Sequence, residues 1–174
     1  MTDPSDIDLS YSEAVDRSTA DALPIALGAD HAGYALKDAI AEHLTGLGRA
    51  TLDLGTNSGD RVDYPDYGEA VGRAVASGEA ALGIAVCGSG IGIAMAANKV
   101  AGVRAAVVHD VTSARLTREH NDANVLCLGE RLIGVQTALD AVDAWLGATF
   151  EGGRHQGRVD KIDRIVAPAS VPSI

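Results

Sequence analysis

The sequence predicts an α/β fold in which a parallel sheet is covered by helices on both faces. Five short, largely apolar runs, at 24–30, 50–55, 81–86, 103–108 and 125–129, read as strands of the kind buried on both sides. Segments with apolar residues at helical spacing lie between them, which is the alternation that builds βαβ units. The scale agrees: 174 residues, 47% hydrophobic and 22% charged, make one domain of ordinary composition.

Residues 1–22 come first and stand apart. They carry Asp3, Asp6, Asp8, Glu13, Asp16 and Asp21 against Arg17 alone and show no sustained periodicity, so a flexible acidic tail is expected there. The folded domain is expected over 23–167, with a short C-terminal tail over 168–174. PIALGAD (24–30) is the first strand and ends at Asp30 and His31. Leu36, Ile40, Leu44 and Leu47 then recur at helical spacing, and Gly48 supplies a stop. ATLDLG (50–55) is the second strand. Asp63-Tyr64-Pro65 opens a helix, proline being tolerated in a first turn, with Tyr67, Val71, Ala74 and Val75 facing inward. ALGIAV (81–86) is the third strand; it runs into Cys87-Gly88-Ser89-Gly90-Ile91-Gly92 and a helical IAMAANK. VRAAVV (103–108) and VLCLG (125–129) are the fourth and fifth strands. A helix from about Val135 to Leu146 places Leu139, Val142 and Leu146 on one stripe, and a last helix is expected over Arg158–Ile165.

Composition removes several function classes. Aromatics are 3% of the chain, so the core is aliphatic and the stacking platforms of single-strand nucleic-acid binders are lacking. A net charge of −10 repels phosphate polymers, so no nucleic-acid partner is expected. The sign reverses locally after Glu151, where Arg154, Arg158, Lys161 and Arg164 outnumber Asp160 and Asp163, a cluster able to hold a small anion. Two cysteines make no disulfide framework. No apolar segment follows a basic start and no run approaches the ~20 residues of a membrane span, which predicts no membrane partner and a cytoplasmic location. No histidine pair has metal-ligand spacing such as H-E-x-x-H, so no metal is expected.

In parallel sheets ligands bind beyond the carboxyl ends of the strands. Asp30 and His31, Cys87 to Gly92, and His109 and Asp110 all fall at such ends. Gly88, Gly90 and Gly92 let a turn adopt positive φ and bring backbone N–H groups close to a ligand, and the helix that follows adds partial positive charge. A dinucleotide fingerprint is the rival reading, with Asp110 ending the next strand, but G-x-G-x-x-G needs glycine where the chain has Ile93 or Met95. Neither is there length for a separate substrate domain, so no redox cofactor is expected. Cys87 turns a passive loop into a reactive one. Thiols titrate near 8.5, helix N-termini pull that value toward neutrality, and a thiolate is then a competent base for a C–H beside a carbonyl. Cys127, inside VLCLG, reads instead as a small buried hydrophobe. His43 lies beside the first helix's apolar stripe and is assigned no chemistry.

These residues resemble ribose-5-phosphate isomerase B and its relatives. The resemblance rests on GADHAGYALK (28–37), DYPD (63–66), CGSGIGIAMAANK (87–99), REHNDANVLCLGER (118–131) and VDAWLGATFEGGRHQGRV (142–159), in family order over roughly four fifths of the chain. It implies a Rossmann-like three-layer αβα sandwich with a five-stranded parallel sheet, assembled as a homodimer or tetramer with sites at the subunit interface. It further implies an aldose–ketose isomerase of the pentose phosphate pathway, without cofactor. Cys87 matches the proton-abstracting base and His120 the acid that helps open the sugar ring. Asp30 matches a residue that binds sugar hydroxyls and assists opening. Gly88, Ser89, Gly90, Ile91 and Gly92 match the loop that holds the enediolate, with Ser89 a hydroxyl relay where some relatives have threonine. Asn121 matches a substrate contact, and His31, Arg131, Arg154 and Arg158 surround the phosphate. One branch of the family replaces the cysteine with a glutamate at the start of the next helix; Ile93 stands there in this chain, so the cysteine type is implied. Ribose-5-phosphate is the expected substrate. Relatives acting on allose, galactose or four-carbon sugar phosphates, and a non-catalytic phosphate- or nucleotide-binding module, are the alternatives.

Overall fold

The computed structural model describes residues 23–165; the segments expected as tails, 1–22 and 168–174, lie outside them. Five strands, β1 (Ile25–Ala29), β2 (Thr51–Asp53), β3 (Leu82–Cys87), β4 (Ala105–Val107) and β5 (Val125–Gly129), form one parallel sheet in the order β2-β1-β3-β5-β4. Six α-helices accompany them: α1 (Tyr34–Gly46), α2 (Tyr64–Ala76), α3 (Ile91–Ala97), α4 (Val111–Asn121), α5 (Val135–Gly147) and α6 (Gln156–Asp163), the last preceded by a 3₁₀ turn, Gly153–His155.

Side-chain alternation along the strands divides the core in two. Ile25, Leu27, Ala29, Ile84, Val86, Leu126 and Leu128 point to one face and pack with α1, α4 and α5. Ala26, Ala85, Cys87, Val125 and Cys127 point to the other and pack with α2 and α3. The result is the expected three-layer αβα sandwich. Because both faces are covered, β1, β3 and β5 need no polar alternation, which is why they read as unbroken apolar runs.

The chain leaves β1 toward β2 on one side and returns across it to β3 on the other. The reversal of strand order therefore lies between β1 and β3, and a crevice opens there at the carboxyl ends. Asp30 and Cys87 stand at its two walls.

Several details differ from the sequence reading. Leu47 is the residue capping α1 and is 53% exposed, because the helix ends before a further inward turn. In α5 the buried residues are Ala138, Ala141, Val142 and Trp145; Leu139 and Leu146 flank this stripe half-buried, since the one tryptophan, not the leucines, fills the space under the sheet. The last helix begins at Gln156 and ends at Asp163, earlier than expected, the 3₁₀ turn providing its nucleus. Helix α4 has no apolar stripe, with Ala114 its one buried residue, so periodicity gave no sign of it; Asp110 starts it by accepting the Ser113 N–H. That cap is the role of the carboxylate that resembled a dinucleotide ligand.

Lys37 is 1% exposed, its ammonium 2.7 Å from both Asp53 carboxylate oxygens and 3.1 Å from Asn57 Oδ1. It ties the loop after β2 to α1, and that loop continues past His31, whose Nδ1 lies 3.1 Å from the Val62 carbonyl oxygen. His43 bridges helices, its Nε2 2.7 Å from Asp143 Oδ1 on α5.

Candidate active site

The glycine turn between β3 and α3 is built by close approach. Gly90 is the residue before α3 and has φ of 76°, and a Cβ placed there would sit 2.9 Å from the Leu128 carbonyl carbon. Gly33, at the start of α1, meets the Val86–Cys87 backbone so closely that a Cβ would come within 2.6 Å of the Val86 carbonyl carbon. These two contacts pin the end of β3 between β1 and β5.

Cys87 is 4% exposed, and its Sγ accepts the Gly90 N–H at 3.1 Å. The Ile91 N–H donates to Ser89 Oγ at 3.3 Å. The N–H groups of Gly88, Ser89 and Gly92 are engaged by no other described residue. Within the expected loop, Gly88 to Gly92, two N–H groups are thus already engaged, that of Gly90 by the sulfur and that of Ile91 by the serine. Tyr64 covers Gly92, where an added Cβ would meet its ring at 2.7 Å.

Around this turn stand three of the expected polar residues. Asp30 is buried and accepts the Ala32 N–H at 2.9 Å. His31 is half-buried against Val62. Arg131 is exposed and lies over Gly88, whose added Cβ would be 3.5 Å from its Cδ. Glu130, which the sequence reading passed over, braces this end: its backbone N–H donates to the Cys87 carbonyl and its carboxylate accepts the Leu36 N–H.

The other expected residues are elsewhere. Helix α4 starts at the carboxyl end of β4 and runs back for 11 residues, about 16 Å, so His120 and Asn121 lie at the amino-terminal edge of the sheet. There the Asn124 carbonyl accepts the N–H of Gly83, four residues and about 13 Å of strand from Cys87. Helix α5 returns to the same edge and delivers Glu151, Arg154, His155 and Arg158. The 120 and 155 rings stack at 4.3 Å between centroids and 7° between planes. Glu151 Oε2 is 3.8 Å from His120 Nε2 and 3.6 Å from His155 Nε2, and Arg154 Nε donates to His155 Nε2 at 3.2 Å. Arg154 and Arg158 are exposed and form no ion pair among the described residues. Arg154 belongs to the 3₁₀ turn and Arg158 to α6, so their four-residue spacing spans a junction instead of one helix face.

His120, Glu151 and His155 bring three ligand atoms within 4.8 Å of one another, a set that metal ions use. Here the lone pair of His155 Nε2 already accepts from Arg154, and two arginines stand close, so the donor set suits a proton better than a cation. The buried imidazole is held below its ordinary value, first by burial and then by the charges of His120 and Arg154. His109 is exposed beyond β4, away from both groups. No helix of the described chain is long and apolar enough to cross a membrane.

The chain thus carries two groups of the expected residues, the Cys87 glycine turn at one end of the sheet and a histidine–arginine group at the other. Glu151 was missed because a lone glutamate beside a basic cluster has no spacing signal. Comparison with known proteins bears on the family to which the chain belongs. The family model described as ribose/galactose isomerase matches residues 25–162. Ribose-5-phosphate isomerase B of Escherichia coli is 52% identical over 141 residues, covering 81% of this chain and 95% of that protein. The structure of Clostridium thermocellum ribose-5-phosphate isomerase B superposes with a TM-score of 0.80 at 54% identity, covering 81% of this chain and 95% of that one. That of the Mycoplasma genitalium enzyme, solved with bound ribulose-5-phosphate, gives 0.78 at 45% identity, covering 82% and 95%.

Proposed function

The chain belongs to the ribose/galactose isomerase family, and on that premise we propose that it interconverts ribose-5-phosphate and ribulose-5-phosphate through an enediolate, with Cys87 moving the proton. The observation that carries the residue assignment is the Cys87 turn: a sulfur at the strand-order reversal, oriented by the Gly90 N–H, with three uncommitted N–H groups beside it.

The substrate is mostly a closed furanose in water. His120 gives a proton to the ring oxygen as its bond to C1 breaks, and Asp30 takes the proton from the C1 hydroxyl, leaving the aldehyde. Cys87 as thiolate then removes the C2 hydrogen. The electron pair forms the C1–C2 double bond and charge collects on O1, where the N–H groups of Gly88, Ser89 and Gly92 meet it; one such donor is commonly worth about 10²–10³ in rate. A proton passes from O2 to O1 by way of the Ser89 hydroxyl, and the Cys87 thiol returns its proton to C1 to give the ketose. No step calls for a metal or redox cofactor.

The two half-sites must meet for this to occur, and one chain cannot fold them together. A second copy resolves it: its His120, Asn121, Arg154 and Arg158 sit against the crevice of the first, whose His31 and Arg131 complete the cationic ring around the phosphate. Holding that remote group aligns the reacting carbons, so the arginines serve turnover as well as affinity. The catalytic work places the protein where metabolism supplies pentose phosphates, which suits a cytoplasmic enzyme.

Incubation with a panel of pentose, hexose and tetrose phosphates in heavy water tests the proposal. We expect conversion of ribose-5-phosphate with deuterium entering the ketose at C1. Cys87→Ser should lower both by at least about 10³ while the fold, read by circular dichroism, is unchanged. Full activity in that variant would remove the assigned base.

A further inference from the structure

In the proposed mechanism Glu151 and His155 have no task, although both stand against His120. We infer that Glu151 and His155 are positioning residues for His120, one fixing its ring plane and the other facing the nitrogen that carries the proton, so that their loss harms ring opening and spares proton transfer at carbon. The inference rests on the isomerase reading and deepens it.

The geometry supports a division of labour between the two imidazoles. Arginine has no acceptor, so the contact from Arg154 Nε fixes His155 Nε2 as the nitrogen with the lone pair and puts its proton on Nδ1. His155 therefore has no N–H to offer Glu151, although the carboxylate is 3.6 Å away. It is 4% exposed, and burial together with the neighbouring charges of His120, Arg154 and Arg158 keeps it neutral, Glu151 opposing them only in part. A neutral, buried ring stacked at 4.3 Å is a rigid surface that sets the plane of the outer one. His120 is the partner with a face open to solvent. Its Nε2 lies 3.8 Å from Glu151 Oε2, beyond a hydrogen bond but within reach of one on a small movement. The other charges near it on α4 are committed: Arg115 pairs with Glu119, and Arg118 with Asp122. Glu151 is left as the carboxylate facing the ring at position 120. The segment bearing it is held against α4 by its N–H, which donates to the Glu119 carbonyl at 2.9 Å.

The test separates the two chemical events. Ribulose-5-phosphate carries its phosphate on the only oxygen that could close a five-membered ring, so it is open-chain. Exchange of its C1 hydrogen with heavy water needs the Cys87 thiolate and the oxyanion turn but no ring opening. In the full-length enzyme, Glu151→Gln and His155→Asn should each slow ribose-5-phosphate turnover about 10–100-fold, the cost of a misplaced catalytic group. Exchange into ribulose-5-phosphate should stay within about twofold, with Glu151→Asp restoring part of the turnover. Equal loss of both rates, or no loss in either, would overturn the inference. Absence of exchange in the unsubstituted enzyme would overturn the proposed function, and the inference with it.

Discussion

Cys87 and Cys127 lie on the same face of neighbouring strands, at the strand end and in mid-strand respectively, and their surroundings give them opposite characters. Cys127 is wholly enclosed, and burial pushes its thiol far above the ordinary range, so it packs and does not react. Cys87 has an N–H donating to its sulfur and open donors next to it. That contrast was legible in the sequence, because a cysteine followed by alternating glycines stands at an end, whereas one inside VLCLG does not. His155 was not legible: adjacency to an arginine says nothing about stacking or enclosure. Its state has a measurable consequence. A histidine lowered on folding from the usual 6.5 binds fewer protons folded than unfolded, so stability is complete above about pH 6.5 and declines as pH falls below it. Urea unfolding at about pH 7.5 and about pH 5.5 should show that decline, and His155→Asn should show a smaller one. An identical pH dependence in both proteins would contradict the burial of a neutral ring.

Among elements, β1, β3, β5 and α2 were recoverable from pattern because their burial is decided locally by strand coverage and by Val71 and Ala74 on one stripe. Helix α4 was not, because it lies on the sheet with a single buried alanine and takes its start from an aspartate cap, a signal that also fits a turn. The loop after β2 depends on a contact between Lys37 and Asp53 that no local pattern encodes. It makes an asymmetric prediction. Asp53→Ala leaves a buried ammonium with only Asn57 and the more exposed Asp38, at 3.3 Å, and should cost about 3 kcal/mol. Lys37→Met removes the charge instead and should cost about 1 kcal/mol or less, Asp53 being partly exposed to water. Chemical denaturation of the two variants checks the order; equal losses would mean that the pair does not anchor the loop.

At the scale of the whole molecule, the topology sets the two groups of expected residues at opposite edges of the sheet. Right-handed βαβ crossovers return each helix to the amino-terminal edge, so a residue at the end of α4 cannot reach the end of β3 in the same chain. The sequence named most members of both half-sites but not their separation, because motif order carries no distance; the interface expectation came from resemblance. Mixing two inactive variants tests that division. With Cys87→Ser and His120→Asn unfolded together and refolded in equal amounts, random pairing makes about half the dimers mixed, and one of the two sites in each holds an intact cysteine and an intact histidine. Activity should return to about a quarter of that of the unsubstituted enzyme, while either variant refolded alone stays inactive. No recovery in a mixture shown to contain mixed dimers would place both residues in one chain's site and contradict the account.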